Sequence, residues 1–131
     1  MQEPQWIELE AVLIAHEQQL HEHGGQEGTR DAGLLESALN RARHLWTYSS
    51  PKPDEARLSA AYAFGIAKDH PFLDGNKRTA AVVCEAFLQL HGKTLSASDD
   101  DWYNAVIALA AGDTSEEAIA DWLRGRLTDP R

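Results

Sequence analysis

The sequence predicts an all-α fold, and three observations lead to that prediction. Alanine and leucine occur 20 and 15 times, against 4 valines, 5 isoleucines and 6 threonines. Alanine and leucine favour helices, whereas β-branched residues favour strands. Apolar residues recur three and four positions apart in six segments, separated by short polar loops. Because 131 residues fit a single domain, residues 1–131, we expect one compact bundle of about six helices.

The first two helices are expected on either side of a glycine-rich turn. The first covers about residues 6–21 and ends before the Gly24–Gly25 pair. Its predicted apolar face comprises Leu9, Leu13, His16 and Leu20. Asp31 is placed to cap the second helix. The predicted apolar stripe of that helix comprises Leu35, Ala38, Leu39 and Ala42. The stretch Trp46–Pro53 contains two prolines and two serines, which predicts a loop with exposed aromatic residues.

The third and fourth helices flank a short polar segment. The third begins near Asp54 and ends at or just before His70, because Pro71 disfavours helical geometry in the residue that precedes it. The fourth begins near Asn76, with the sequence NKRTAAVVCEAFLQLHG, and is apolar almost all round. We therefore expect the fourth helix to be buried at the centre of the domain.

The fifth and sixth helices are expected to be packing elements. The fifth begins at the acidic run Asp99–Asp101, and the sixth opens with a capping-box pattern from Thr114 to Glu117. The residues that these helices are expected to bury are Trp102, Ala105, Val106, Leu109, Ile119, Trp122 and Leu123.

Charge and composition exclude several classes of function. Twelve lysines and arginines against 21 acidic residues give a formal charge of -9, which disfavours nucleic acid as a direct partner. The longest apolar run, residues 105–111, is too short to cross a membrane, and the N-terminus lacks the features of an export signal. Cys84 is the only cysteine, which excludes an internal disulfide. We expect a soluble, cytoplasmic protein with no membrane partner.

The chemistry is concentrated in the segment HPFLDGNKRT, residues 70–79, between the third and fourth helices. A helix start leaves backbone N–H groups unpaired and carries partial positive charge, so it favours anions. Gly75 has no Cβ to block the close approach of a phosphate. Lys77 and Arg78 lie in the first turn, where cations oppose the helix dipole but suit phosphate binding. This segment therefore predicts a phosphate site.

Two further residues of the segment predict a reaction at that phosphate. Asp74 is an oxygen ligand suited to Mg²⁺ shared with the phosphates of a nucleotide. His70 is the side chain best matched to accepting a proton from a hydroxyl near neutral pH. A base, a metal ligand and a phosphate site within ten residues indicate phosphoryl or nucleotidyl transfer.

The string HPFLDGNKR resembles the signature of the Fic/Doc family, HPFx(D/E)GNxxR, and in particular its death-on-curing (Doc) toxin branch. Lys77 replaces the glycine that follows the asparagine in the broader family, and the Asn-Lys-Arg run is typical of Doc members. The resemblance continues upstream through GGQEGTRDAGLLESALNRA, residues 24–42. It implies a Fic fold, in which about six helices surround a central helical pair.

The resemblance also implies an ATP-dependent transferase acting on a protein hydroxyl. His70 would activate the hydroxyl, Asp74 would bind Mg²⁺, and Asn76 and Arg78 would hold phosphates. Doc members transfer the γ-phosphate of ATP to elongation factor Tu, and Lys77 is the reason to expect this chemistry here. The implied protein is a bacterial toxin that arrests translation.

Two alternatives remain open on the sequence. Gly75 matches the general Fic pattern, whereas some Doc members carry alanine at that position, so transfer of AMP by a Fic-type enzyme remains possible. A helical interaction module without catalytic activity is the alternative from a different class, although His70, Asp74, Asn76 and Arg78 are all present.

Partners also follow from the resemblance. Autoinhibited Fic proteins carry the pattern (S/T)xxxE(G/N), but the only glutamate followed by glycine is Glu27, and His23 stands four residues before it. Restraint would therefore come from a separate antitoxin chain whose C-terminal segment docks on the toxin. Trp46 and Tyr48 lie where family members have a flap that captures the target, and the alternative is a plain loop between helices.

Three other conspicuous residues have simpler interpretations. His16 is expected to face the core, Arg30 to be a surface charge, and Asp31 to be a helix cap.

Overall fold

The computed structural model describes residues 2–129, and these form six helices and a pair of two-residue strands. The helices are α1 (Leu9–His23), α2 (Ala32–Tyr48), α3 (Glu55–Asp69), α4 (Asn76–Leu90), α5 (Asp99–Ala111) and α6 (Glu116–Arg124). The strands β1 (Thr94–Leu95) and β2 (Leu127–Thr128) pair antiparallel, with Thr94 opposite Thr128. The all-α prediction is confirmed. The strand pair was not predicted, because two residues are too short to show an alternating pattern.

Helices α3 and α4 form the centre of the bundle and pack against each other. The fourth helix is buried, as expected, but α3 is the more buried of the two, with ten of its fifteen residues buried. Small residues in α3 allow close packing. A Cβ on Gly65 would lie 3.0 Å from the backbone of Ala38, so α2 reaches α3 at nearly backbone contact. The centre is therefore a helical pair, as the family resemblance implies.

Side-chain caps define where four of the helices begin. Asp31 and Asp54 cap α2 and α3 by accepting hydrogen bonds from backbone N–H groups three residues along the chain. Ser98 and Ser115 do the same for α5 and α6. The capping box predicted from Thr114 is therefore wrong by one residue, since Ser115 carries the hydroxyl that makes the bond.

Helix α1 packs on α4 through a narrower face than the sequence indicates. Its buried residues are Val12 and His16, four positions apart. Leu9 and Leu13 were predicted to be buried but are 45% and 38% exposed, and Ile14 is exposed as well. A helix that contacts essentially one neighbour buries only one narrow stripe, which leaves these apolar residues at the surface.

The junction between α2 and α3 differs from the predicted loop. Helix α2 continues through Tyr48, so Trp46 is helical and buried, whereas Tyr48 is 83% exposed. Lys52 folds back and donates to the carbonyl oxygen of Trp46. The expectation of exposed aromatic residues is thus correct for Tyr48 and wrong for Trp46.

Among residues 2–129, no helix combines the length and the apolarity that crossing a membrane requires.

Candidate active site

His70 ends α3 in a backbone conformation that few residues adopt. Its φ and ψ are 49° and 56°, and it is the only non-glycine residue with positive φ in the described range. Pro71 disfavours the right-handed helical conformation for His70, which forces the chain to leave the helix here. A left-handed residue other than glycine is unfavourable by on the order of 1–3 kcal/mol and persists only where its surroundings hold it.

Arg30 provides much of that support. Its Nε donates to the carbonyl oxygen of His70 and its Nη2 to that of Asp69, each at 2.7 Å. Those carbonyls belong to the last turn of α3 and would otherwise lack partners within the helix. The backbone N–H of Arg30 also donates to the carbonyl of Pro71, at 2.7 Å. Arg30 is therefore more than the surface charge that the sequence predicts, because it caps the helix that carries His70.

Asn76 fixes the shape of the loop from the other side. Its Oδ1 accepts from the backbone N–H of Phe72 at 2.9 Å, and its Nδ2 donates to the carbonyl of Phe72 at 3.0 Å. These two bonds set the orientation of the amide, so that Nδ2 faces His70 Nδ1 at a distance of 3.5 Å. This contact is too long to fix the tautomer of the imidazole. The side chain is buried within the loop, and the group that Asn76 can offer to a phosphate is its backbone N–H.

His16 supports the loop from below. Its ring stacks on Phe72 with centroids 3.7 Å apart and planes 8° from parallel. Its Nε2 donates to the carbonyl oxygen of Asp74 at 2.8 Å, since a carbonyl can only accept. The prediction that His16 faces the core is confirmed. The contact with Asp74 adds a role in placing the loop, which the sequence did not predict.

The start of α4 is open to an anion. Gly75 takes the left-handed conformation, with φ 77°, and supplies no side-chain cap to the helix. Lys77 and Arg78 lie in the first turn, and neither forms an ion pair with a carboxylate in the described part of the chain. The Arg78 guanidinium lies over the ring of Tyr103, 4.4 Å from its centroid. Backbone N–H groups and two cations without a carboxylate partner therefore meet at one helix end.

Asp74 is exposed and has coordination capacity to spare. Its Oδ2 accepts one hydrogen bond, from the backbone N–H of Gln26 at 3.1 Å. No cluster of three or more His, Cys, Asp or Glu suited to a metal occurs in residues 2–129. A single carboxylate beside a phosphate site is nevertheless the donor set that Mg²⁺ uses when it retains waters and shares a nucleotide's phosphates. Asp74 therefore fits a Mg²⁺–nucleotide complex.

One cavity of about 300 Å³ gathers the predicted site residues. His70, Asp74, Gly75, Asn76, Lys77 and Arg78 all line it. The rest of its wall is formed by Gln19, His23 and Tyr103 from α1 and α5, together with Gly24 and Leu73. A larger cavity of about 550 Å³ adjoins it and shares the wall formed by Arg78, His23 and Tyr103. Residues from three helices and one loop thus surround a single polar site.

The surroundings of His70 lower the pKa of its imidazole below the ordinary value of 6.5. Partial burial is the largest cause, followed by the positive charges of Lys77, Arg30 and Lys68. Asp69 opposes the shift more weakly. A depressed pKa keeps the imidazole neutral at physiological pH, which is the state required to accept a proton.

Trp46 and Tyr48, assigned to a target flap on the sequence, lie elsewhere. They belong to the end of α2, next to the start of α3, and Tyr48 lines a separate cavity with Arg41 and His44. Helix α3 has fifteen residues and separates this region from His70 by about 22 Å at 1.5 Å per residue. The segment that lies beside His70 is residues 28–31, which forms the backbone bonds to Pro71 and Leu73.

Sequence reasoning missed the contributions of Arg30 and His16 to the site. Both are distant from the HPFLDGNKR segment along the chain and reach it only through the fold. No periodicity marks a side chain that binds backbone carbonyls of another segment. Arg30 directly precedes Asp31, the predicted cap of α2. This adjacency is the one signal in the sequence that could have placed Arg30 near the end of a helix.

Together these features define a small helical domain with an imidazole, a carboxylate and a cationic helix start around one cavity. This is a set of groups suited to transferring a phosphate-containing group.

Comparison with known proteins identifies the family. The sequence profile of the Fic/DOC family matches residues 6–88. A protein of Escherichia phage P1 named protein kinase doc is 30% identical over 118 residues, which cover 90% of this chain and 92% of that protein. A protein of Mycolicibacterium smegmatis named toxin Doc is 34% identical over 107 residues, or 78% of this chain and 80% of that protein. The chain belongs to the Fic/DOC family, in its Doc branch.

Proposed function

We propose that this protein is a Doc-type toxin that transfers the γ-phosphate of ATP to a serine or threonine hydroxyl of a translation factor. The observation that carries the proposal is the juxtaposition, around one cavity, of the His70 imidazole with the cationic start of α4. The relative from phage P1, which is named a protein kinase and aligns over most of both chains, supports the same chemistry. Elongation factor Tu is the target that the family resemblance favours.

The proposed reaction divides the work among the residues of the cavity. The hydroxyl oxygen of the target attacks the γ-phosphorus, and the bond from that phosphorus to the β-bridging oxygen breaks and releases ADP. His70 accepts the hydroxyl proton. The N–H groups at the start of α4, with Lys77 and Arg78, bind phosphate oxygens and stabilise the charge that develops on them.

Asp74 is the residue proposed to hold Mg²⁺, because its carboxylate faces the cavity and accepts only one hydrogen bond within the chain. The metal ion, when bound, neutralises phosphate charge and orients the phosphate chain. Gly75 keeps the approach to the helix start open. A Cβ at this position would lie 3.3 Å from Leu20 and 3.6 Å from the His16 ring, so a larger side chain would press on the support of the loop.

Lys77 is the residue proposed to favour the kinase reaction over AMP transfer. Where the broader family has glycine, an ammonium group here lines the phosphate cavity. It adds a positive charge and takes up space beside the phosphates, which alters how a nucleotide can lie in the site. Replacing Lys77 by glycine is therefore the change expected to weaken γ-phosphate transfer and to allow some transfer of AMP.

The target segment is proposed to bind along residues 28–30. Thr29 and Phe72 form an antiparallel bridge. Its two hydrogen bonds join flanking residues: Arg30 N–H donates to the Pro71 carbonyl, and Leu73 N–H donates to the Gly28 carbonyl. In this geometry the N–H and C=O of Thr29 point away from Phe72, and neither has a partner within residues 2–129. An extended peptide could pair with this free edge as an added strand, close to His70.

Restraint of the toxin is proposed to come from a separate antitoxin chain in a bacterial cytoplasm. The exposed apolar residues of α1, which are Leu9, Leu13 and Ile14, offer a surface for such a chain. Their position on the helix that also contributes Gln19 and His23 to the cavity would allow a docked chain to reach the site.

The test is transfer of label from γ-labelled or α-labelled ATP, with Mg²⁺, into purified elongation factor Tu. His70→Ala serves as the inactive variant. His44→Ala, at an exposed histidine on the far part of α2, is the matched control. Label from the γ position alone, lost in His70→Ala and retained in His44→Ala, is the expected result.

Two other outcomes would replace the proposal. Label from the α position would make the protein an AMP transferase, in agreement with Gly75 rather than Lys77. No His70-dependent label from either nucleotide, in a folded protein that still binds an antitoxin, would favour the interaction module.

A further inference from the structure

We propose that Arg30 is a positioning residue for the general base, because its guanidinium holds the two carbonyls that fix the backbone of His70. The inference rests on the proposed role of His70 as the base. It concerns a residue outside the HPFLDGNKR segment, forty positions earlier in the chain.

The geometry leaves His70 dependent on this contact. The left-handed conformation of His70 is not one that its own backbone prefers. Arg30 donates to the carbonyls on both sides of the His70 α-carbon, since the Asp69 carbonyl belongs to the preceding peptide and the His70 carbonyl to the following one. A planar guanidinium that grips two successive peptides restrains the rotation between them. The direction of the imidazole follows from that backbone.

The backbone of Arg30 strengthens the same contact. The backbone N–H groups of Arg30 and Asp31 both donate to the carbonyl of Pro71. Three successive carbonyls, of residues 69–71, are therefore bound to the segment before α2. The Arg30 side chain itself is exposed and does not belong to the core. Replacing the Arg30 side chain should therefore leave the fold intact while removing the hydrogen bonds that hold the backbone of His70.

The charge of Arg30 also acts on His70, because it lowers the pKa of the imidazole. The groups that bear on His70 are Lys68 and Asp69 from α3, Lys77 from α4, and Arg30 from the segment before α2. Partial burial lowers the imidazole pKa most, the cations among these groups lower it further, and Asp69 raises it. Removing Arg30 takes away one of the three cations, so the His70 pKa should rise toward its ordinary value.

The experiment compares Arg30→Ala and Arg30→Lys with Arg126→Ala. Arg126 is a suitable control because it also donates to a carbonyl in the last turn of a helix, Trp122 of α6, and is also exposed. For Arg30→Ala, kcat should fall by on the order of 10²-fold with little change in KM for ATP, because a small displacement of a reacting group has that effect. Arg30→Lys keeps the charge and can reach one carbonyl, so it should recover part of the loss.

A second readout does not need turnover. The titration of the His70 imidazole and the backbone carbon shifts of residues 69–71 are followed by NMR in the same variants. Arg30→Ala should raise the His70 pKa and shift the backbone signals away from the left-handed conformation, and Arg126→Ala should change neither. If wild-type protein transfers no label, these signals still decide the positioning role, so a failure of the proposed function is distinguishable.

Three results would overturn the inference. Unchanged kcat in Arg30→Ala would show that His70 does not need the clamp. A loss expressed in KM for ATP with kcat unchanged would make Arg30 a nucleotide-binding residue instead. Unaltered NMR signals at residues 69–71 would show that the backbone of His70 is held by other contacts.

Discussion

Charged residues near the start of α3 form ion pairs, whereas the cations beyond its end have no carboxylate partner in the described residues. At its start, Asp54 caps the helix and binds the guanidinium of Arg124 through both carboxylate oxygens. Glu116, at the first position of α6, is 4% exposed and bonded to Arg41 and Arg57. At the other end of α3, beyond His70, the described residues leave Lys77 and Arg78 without a carboxylate partner.

The difference separates a region that stabilises the fold from the region of the proposed site. Paired charges at the start of α3 join α2, α3 and α6, and they offer little capacity to bind anything else. Lys77 and Arg78 at the far end have no carboxylate partner in the described residues and oppose the dipole of α4, which disfavours folding. The contact of Arg78 with Tyr103 offsets part of that cost. In a chain whose net charge is -9, these cations concentrate positive potential at the site where we propose that the phosphates bind.

The largest expected effect is at the functional end. His70→Ala should reduce transfer by about 10²–10⁴-fold, the usual contribution of a general base. The free energy of unfolding should change by no more than about 1 kcal/mol, because the His70 side chain is exposed and alanine carries a similar backbone strain. Label transfer and urea denaturation are the measurements. A variant that unfolded instead would mean that His70 is a structural residue and that the contrast between the two ends is false.

The next largest effect is at the stabilising end. Glu116→Gln should lower the free energy of unfolding by about 1.5–3 kcal/mol, the usual worth of a hydrogen bond to a charged group, because glutamine keeps only one of the two acceptor oxygens. The effect should be smaller than the breaking of a fully buried pair, about 3–5 kcal/mol, because Arg41 and Arg57 still reach solvent. Transfer activity well below the melting temperature should be unchanged, and a fall in kcat would show that the two ends are coupled.

Asp54→Asn should have a smaller effect, about 0.5–1 kcal/mol, because the ion pair with Arg124 is half exposed. Asparagine keeps the helix cap through Oδ1, so the substitution removes the charge and the one acceptor oxygen, Oδ2, that binds Arg124 Nε. Hydrogen bonding to Arg124 lowers the Asp54 pKa below its ordinary value of 3.8. The associated stability is therefore present above pH 3.8 and is lost as the pH falls through the lower folded pKa. The check is to measure the free energy of unfolding of Asp54→Asn and of the wild type at pH 7 and at acid pH. The difference between the two proteins should be smaller at acid pH, and an equal difference at both pH values would contradict the prediction.

The smallest effect is in the pH dependence of activity. Because the His70 pKa lies below 6.5, the acid limb of kcat/KM should have its midpoint below that value. The sign of the effect on stability is the same as for Asp54, because both groups have a lower pKa in the folded state than in the unfolded state. The unfolded histidine binds a proton more readily than the folded one, so this group reduces stability as the pH falls through 6.5. An acid limb at or above pH 6.5 would show that neither the partial burial of His70 nor the nearby cations lower its pKa.

Much of the architecture could be predicted because it depends on local signals. Composition and apolar spacing predicted six helices, and Asp31 and Asp54 were placed correctly at helix starts because a cap acts on N–H groups three residues away. The site segment was found for the same reason, since His70 to Arg78 are nearly contiguous in the chain. The errors arose where packing decides. Leu13 is exposed although its spacing fits, and Trp46 is buried although prolines follow it.

The sequence by itself determined the fold class, the family and the six residues between His70 and Arg78 that were proposed for the site and line the cavity at the start of α4. Only the tertiary structure decided how those residues are held. It brought Arg30 to the end of α3, His16 beneath Asp74, and the Thr29 edge beside His70, and it placed Trp46 and Tyr48 a helix length away. The physical reason is that helix formation and capping act over three or four residues, whereas these contacts join segments that lie forty or more positions apart.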